Sequence, residues 1–408
     1  MSMKPKVVLA FSGGLDTSFC AVWLREQGYE VHTVTVRTDS APDEVAAIEQ
    51  RAAALGVARH VTVDARRELF DDYLRYLIYG NVLRGDVYPL CVSAERVVQA
   101  RRCALYARQV GAAAFAHGAT AAGNDQVRFD VVFRVLAPEV EILAPVREQA
   151  LTREQEAAYL AQRGLPVPAR LTRYSVNRGL WGATIGGVET HRSDRVLPEE
   201  AYVMTRPPAQ RPSAPEDVRV RFERGVPVAL EGQDMDPVGL IDRLNELGGR
   251  HGVGRGVHLG DTILGIKGRV AFEAPAAAVL IAAHRELEKL VLSRQQLFWK
   301  RTLGDLYGAL LHEARFFDPL ARDIEAFLVS SQQCVTGEVQ VRLFQGQATV
   351  RGATSPYGLL NAQVALYGER AALWSGAEAA AFAKLYGLQD RLIGALRRQR
   401  SQDDAHLD

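Results

Sequence analysis

The sequence predicts an α/β domain built on a parallel sheet, followed by an α+β domain and a C-terminal helix. Three observations carry this. β-type runs alternate with amphipathic segments from residue 6 to about 146; a glycine turn joins the first strand to the first helix; and the pattern changes after two prolines, Pro166 and Pro168. The strands are expected at Lys6–Phe11, Glu30–Val36, His60–Asp64, Ala113–Gly118 and Glu141–Val146. Helix-type stretches lie between them at Pro42–Leu55, Glu68–Ile78 and Ser93–Val110. Such folds put ligands at the carboxyl ends of the strands. The glycine turn after the first strand and the His117-Gly118-Ala119-Thr120 turn after a later one both fall on that edge.

Thr152-Arg-Glu-Gln155 reads as a capping box for a helix running to Arg163, before Gly164, and a domain boundary is expected near 165–172. Domains of 1–168, 169–370 and 371–408 follow. Arg206–Pro215 is expected to be a loop, and Val218–Phe222 with Val226–Leu230 a hairpin around Arg224-Gly225. Helices are expected at Val238–Leu247 and, as one stretch, Ala283–Leu310, then a hairpin of Glu338–Leu343 with Gln347–Arg351. Glu378–Arg398 reads as one terminal amphipathic helix with Ala380, Phe382, Leu385, Leu388 and Leu392 on its apolar side.

Bulk properties exclude several classes. At 408 residues the chain has room for more than one core, and 49 Lys and Arg against 48 Asp and Glu leave no basic surplus for an obligatory nucleic-acid partner. The cysteines Cys20, Cys91, Cys103 and Cys334 form no C-x-x-C, so reduced thiols packed as small core residues are expected. The apolar run near the N-terminus is too short for a signal segment and nothing approaches a membrane span, so a cytoplasmic protein is expected.

The segment Ala10-Phe11-Ser12-Gly13-Gly14-Leu15-Asp16-Thr17-Ser18 is strand, glycine turn and helix start. Two glycines let backbone N–H groups face inward, the helix adds free amides and its positive end, and three hydroxyls add donors, so the turn suits a pyrophosphate. It is neither G-x-x-x-x-G-K-[ST] nor G-x-G-x-x-G. Asp16 cannot donate to phosphate; it either brackets the loop by accepting N–H bonds or contacts a metal.

This segment resembles the Ser-Gly-Gly-x-Asp-Ser motif of the ATP-pyrophosphatase (PP-loop) enzymes, in the form carried by the argininosuccinate synthase family. His117-Gly-Ala-Thr-Ala-Ala-Gly-Asn-Asp-Gln-Val-Arg-Phe-Asp130 is similar to a second block of that family, with further matches near Tyr88, Tyr174 and His251. The resemblance implies an adenine nucleotide alpha hydrolase-like first domain. It also implies ATP and Mg²⁺ as cofactors, citrulline and aspartate as small-molecule substrates, and a homotetramer joined through the tail helix, without membrane or nucleic-acid partners. Residues 10–18, Val36 (through its backbone), His117 and Gly118 would bind ATP. Ala119, Thr120, Asn124 and Asp125 would hold aspartate. Tyr88, Ser93, Asn124, Arg128, Ser175, Thr184, Asp261 and Phe272 would hold citrulline, and Asp16, Asp125 and Arg128 would carry the chemistry. No protein-bound metal site is implied. A dicarboxylic amino acid needs hydroxyl and amide donors for its carboxylates and an acid for its ammonium, while Arg128 offers a fork to a carboxylate. Ser93 serves equally well as an N-cap for a helix from Ala94.

The chain departs from the family pattern at Ala122, where a lysine is usual, and in the citrulline pocket, where the usual glutamate falls on Gly260 and the usual tyrosine on Phe272. Asp261 stands one residue along and is expected to take the acid's place. A ligase for citrulline modified at its α-nitrogen, or a silent nucleotide-binding regulator, are the alternative readings.

Overall fold

The computed structural model describes residues 4–39, 42–165 and 174–405. Apart from Leu165, the expected boundary near 165–172, with Pro166 and Pro168, lies outside the described residues.

Strands β1 (Lys6–Ala10), β2 (Glu30–Arg37), β3 (Arg59–Asp64), β4 (Ala114–Ala116) and β5 (Glu141–Leu143) form one parallel sheet in the order β3-β2-β1-β4-β5. Because side chains alternate along a strand, Val7 and Leu9 face one side and Val8 the other. The first side packs Phe19, Leu24 and Val146; the second joins a core that continues through Phe115 and Phe133 into Phe222, Ile241 and Val339 of the antiparallel part. Chain direction reverses its lateral progress between β1 and β4, and open α/β sheets bind ligands beyond the strand ends at that point.

Helix α1 (Leu15–Glu26) leaves β1, α2 (Pro42–Ala54) follows β2, and short helices α3 (Arg66–Leu69) and α4 (Arg75–Tyr79) flank a π-helical turn, Phe70–Leu74, inside the single helix expected there. Helices α5 (Ser93–Val110), α6 (Asp125–Leu136), α7 (Pro145–Gln149) and α8 (Arg153–Ala161) complete this part. The Thr152–Gln155 capping box is present as expected.

Beyond residue 173, β6 (Tyr174–Gly179), β7 (Gly182–Gly187), β11 (Arg255–Asp261) and β12 (Lys267–Glu273) make an antiparallel sheet in the order β11-β12-β7-β6. Strands β8 (Glu216–Glu223), β9 (Val226–Leu230), β10 (Gln233–Asp234), β13 (Gly337–Phe344) and β14 (Gln347–Thr354) make a second, in the order β10-β9-β8-β13-β14. Both expected hairpins are in it. The stretch Ala283–Leu310, expected as one helix, is two, Pro275–Val291 and Arg294–His312, because Ser293 and Gln296 form a capping box that starts a new helix. Residues 1–357 form one compact unit.

Residues 358–408 form a second unit, in which the expected single helix is likewise divided, into Gly376–Tyr386 and Leu388–Ala405 around Gly387. Phe382, Leu385, Tyr386, Leu392 and Leu396 are exposed on it. The cysteines are free; Cys20, Cys91 and Cys103 are buried as expected, whereas Cys334 is exposed and is not a core residue.

Candidate active site

The loop after β1 is shaped by Gly13, whose φ of +72° is left-handed backbone that a side chain would strain. Gly14 caps α1 without any side-chain hydrogen bond, so the first amides of the helix stay open. The Ser12 and Thr17 hydroxyls lie 3.3 Å apart, and the Gly14 N–H donates to Ser12 Oγ at 3.4 Å. Ser18 is buried and accepts from Arg51 Nε at 3.2 Å. Phe11 and Val36 are buried, and the Phe11 N–H donates to Val34 O at 2.9 Å, tying the loop to β2.

Asp16 sits in the first turn of α1, where Arg153 Nη1 of α8 donates to Oδ1 at 3.4 Å. Glu156, one turn further along α8, is almost wholly buried beside it; burial, and then the Asp16 carboxylate, raise its carboxyl well above the usual range. A protonated Glu156 can thus share a proton with Asp16 beneath the loop.

The turn after β4 packs directly on this loop. A Cβ built on Gly118 would lie 3.1 Å from the Asp16 carbonyl carbon and 3.2 Å from Thr17 N. His117 fixes the turn: its Nδ1 accepts the Ala119 N–H at 3.2 Å, so Nε2 carries the proton and donates to Asp130 at 2.9 Å. Arg147 steadies Asp130 at 3.0 Å. Thr120 is exposed at the end of the turn.

The turn leads into α6, where the expected amino-acid residues converge. Asp125 accepts from Arg96 Nε and from Arg128 Nη1, each at 2.9 Å. Burial alone would raise its carboxyl, but the two guanidiniums overcome this and hold it at about 2. Arg128 is buried and also donates to Ser93 Oγ at 3.3 Å, His312 Nδ1 at 3.0 Å and His312 O at 3.0 Å. Ser93 is therefore not an N-cap: α5 begins at Ser93 itself, with Val92 at the cap, and the hydroxyl faces Arg128. Asn124 Oδ1 accepts the Ile263 N–H at 2.9 Å, which fastens the β11–β12 turn over the start of α6.

Tyr88 is buried against the antiparallel sheet, its ring 5.2 Å from Phe272 and 5.6 Å from His258. Phe272 pairs with Thr184 on β7 and with Gly256 on β11; a Cβ on Gly256 would strike the Phe272 ring, so glycine is needed there. Ser175, opposite Gly186, is exposed on β6, two residues from Asn177, which pairs with Thr184. Asp261 departs from the expectation. It ends β11 on the face opposite His258 and Gly260, is 59% exposed, and pairs with Lys267 Nζ at 2.6 Å. It does not face Tyr88 and Phe272.

Sequence reasoning missed His258, His312 and Glu95 and gave Arg96 no role. A lone histidine near a helix end or in a strand carries no local signal. Glu95 is buried beside Gly179, and burial, opposed by Arg96, pushes its carboxyl up to about 8. Among the described residues no group of three or more His, Cys, Asp or Glu could hold a metal ion. No helix among them is long and apolar enough to cross a membrane.

A parallel sheet with a glycine loop at its switch point, no lysine in the loop and an adjoining histidine–glycine turn define a nucleotide-binding domain of the HUP class. Residues 6–166 match the arginosuccinate synthase N-terminal HUP domain, and residues 174–393 the arginosuccinate synthase C-terminal domain. The chain is 41% identical to the argininosuccinate synthase of Methanocaldococcus jannaschii over 391 residues, 96% of this chain and 98% of that one. It is 39% identical to the argininosuccinate synthase of Dehalococcoides mccartyi strain 195, with 97% of each covered, and 39% identical to that of Rubrobacter xylanophilus, with 95% and 94% covered. The chain belongs to the argininosuccinate synthase family.

Proposed function

We propose that the chain joins the ureido group of a citrulline-type substrate to the amine of aspartate, with ATP cleaved to AMP and pyrophosphate. The observation that carries this is the contact of Gly118 with Asp16 and Thr17, which sets the phosphate-binding loop against the block holding Thr120, Asn124, Asp125 and Arg128. In the first step the ureido oxygen bonds to the α-phosphorus and the bond to the β-phosphate oxygen breaks. In the second, the aspartate amine, having lost one proton to solvent, bonds to the ureido carbon, the bond from that carbon to the oxygen carrying AMP breaks, AMP leaves, and the new C–N nitrogen loses a second proton to solvent.

The loop amides, Ser12, Thr17 and the open end of α1 hold the leaving pyrophosphate, while the Val36 backbone meets the adenine. Positioning and charge stabilisation supply most of such catalysis, so no nucleophilic side chain is required. Asp125, kept ionised between Arg96 and Arg128, takes the aspartate ammonium; Arg128 presents its fork to the carboxylate of the ureido substrate. Mg²⁺ would arrive with the ATP phosphates and supply neutralising charge there; Asp16 would either contact it or bracket the loop by accepting N–H bonds. Assembly as a homotetramer through residues 371–408 and a cytoplasmic location belong to the same reading. The test is product analysis with ATP and ureido substrate, with and without aspartate: AMP and pyrophosphate are expected, and ADP with phosphate would overturn it.

A further inference from the structure

On one face of the sheet β11-β12-β7-β6, the row Gly256, Phe272, Thr184 and Asn177 lies beside a row of His258, Val270, Gly186 and Ser175. Beyond His258 come Gly260 and Gly268, paired across the hairpin. Gly186 has nothing within 4 Å of where a Cβ would stand, so the face is open there. At Gly260 the opposite holds: a Cβ would come 2.5 Å from His258 Nε2, so the imidazole fills the space that a side chain at 260 would use.

Two imidazoles adjoin this face. His312, 7% exposed, accepts from Arg128 at Nδ1 and so carries its proton on Nε2; that nitrogen, and Nε2 of His258, are buried with no hydrogen-bond partner among the described residues. Burial and the nearby Arg128 and Arg84 press His312 down to about 2, and burial and Arg84 lower His258, so both are neutral. Neutral rings with an unused N–H suit a carbonyl oxygen.

The carboxylates around them are committed. Asp125 is held by Arg96 and Arg128 and, in the reading above, meets the ammonium of aspartate; Glu273 takes the amides of Val203, Met204 and Thr205, Glu95 is kept protonated by burial, and Asp261 is on the outer face with Lys267. Arg84 has no ion pair among the described residues. An ammonium placed here would meet three guanidiniums and no free carboxylate, which is costly in a buried site.

We infer that this pocket takes a citrulline whose α-nitrogen is acylated, the amide carbonyl meeting His258 or His312 and the acyl chain lying over Gly186. The inference rests on the ligase reading above. It is tested with the intact enzyme, ATP and aspartate by measuring pyrophosphate release for citrulline, N-acetylcitrulline and N-succinylcitrulline. A kcat/KM at least tenfold higher for either acylated substrate is expected; the succinyl arm ranks first if Arg84 takes its carboxylate, the acetyl arm if it does not, and both support the inference. Equal or better turnover of free citrulline overturns it while leaving the ligase reading intact, whereas release with none of the three removes that reading itself. A second variant checks the residue: His258→Ala with Gly260→Glu, which clears the space and restores a carboxylate, should move the preference toward free citrulline by about tenfold, close to 1.4 kcal/mol. An unmoved preference, in a variant that still turns over one of the substrates, also overturns the assignment.

Discussion

Gly118 rests on Asp16 so closely that a single added methyl would come within 3.2 Å of three Asp16 and Thr17 atoms. The two loops that face each other across the β1–β4 boundary are thus fitted backbone to backbone. Gly118→Ala forces one to give by a few tenths of an ångström, and misplacement of groups that act by position is felt strongly in rate. Citrulline-dependent pyrophosphate release should fall by about an order of magnitude with little change in thermal midpoint. Unchanged kinetics would show that the contact is not part of the working geometry.

Asp16→Ala and Ser12→Ala act on the phosphate loop without touching the core. Ser12→Ala removes a hydroxyl donor to the anion, a loss of about 1.5–3 kcal/mol, and Asp16→Ala removes the carboxylate that Arg153 meets at the start of α1, so AMP and pyrophosphate formation should drop by about an order of magnitude or more for each. Circular dichroism should be unaltered; a loss of fold with the loss of activity would make the residues structural.

Asp125→Asn keeps shape but removes the anion between Arg96 and Arg128. Formation of the final product should fall by about tenfold or more, and isotope exchange between pyrophosphate and ATP, which reports the first step alone, should fall less. Equal loss in both steps would remove the division of labour between Asp125 and Arg128.

Glu95 gives a pH dependence whose sign follows from its burial. Its folded-state value, about 8, lies above the 4.5 of an ordinary glutamate carboxyl, so the protein binds this proton more tightly when folded. The stabilisation is full below the lower value and is lost as pH rises through the higher one. The thermal midpoint should decline between about pH 5 and about pH 8, a decline shared with Glu156, and Glu95→Gln should flatten part of it. A variant with the same slope as the parent would place the effect elsewhere.

The exposed Phe382, Leu385, Tyr386, Leu392 and Leu396 make residues 358–408 the natural place for subunit contacts. Deleting 358–408 should lower the number of subunits per particle, taken as the mass seen by light scattering divided by the mass of the shortened chain. An unchanged number of subunits would exclude the tail from assembly.

What could be read from sequence was local. The glycine loop and the His117 turn announce themselves because a phosphate cradle and a helix start need fixed residues at fixed spacing. The Thr152 capping box is of the same kind. The division at Ser293 was equally written, as Ser293 and Gln296, but an apolar periodicity running through it masked the cap. Asp261 shows the limit more sharply. Its chemistry suits an ammonium, yet strand register turns it to the other face from Gly260, and register is set by pairing with β12 rather than by the residue. Arg128 could be picked out by its motif, whereas its partner His312 comes from the end of a helix far along the chain and could be found only in three dimensions.

The β11–β12 hairpin bears on how such an enzyme can change. It meets the rest of the site through a few points, among them the Ile263 N–H on Asn124 and the Asp261 carbonyl on Arg84, and supplies His258, Gly260 and Phe272 from one contiguous stretch. If the pocket proposed above is the one that takes the ureido substrate, substitutions confined to this single hairpin would change which amino acid is accepted and leave the loop after β1 as it is.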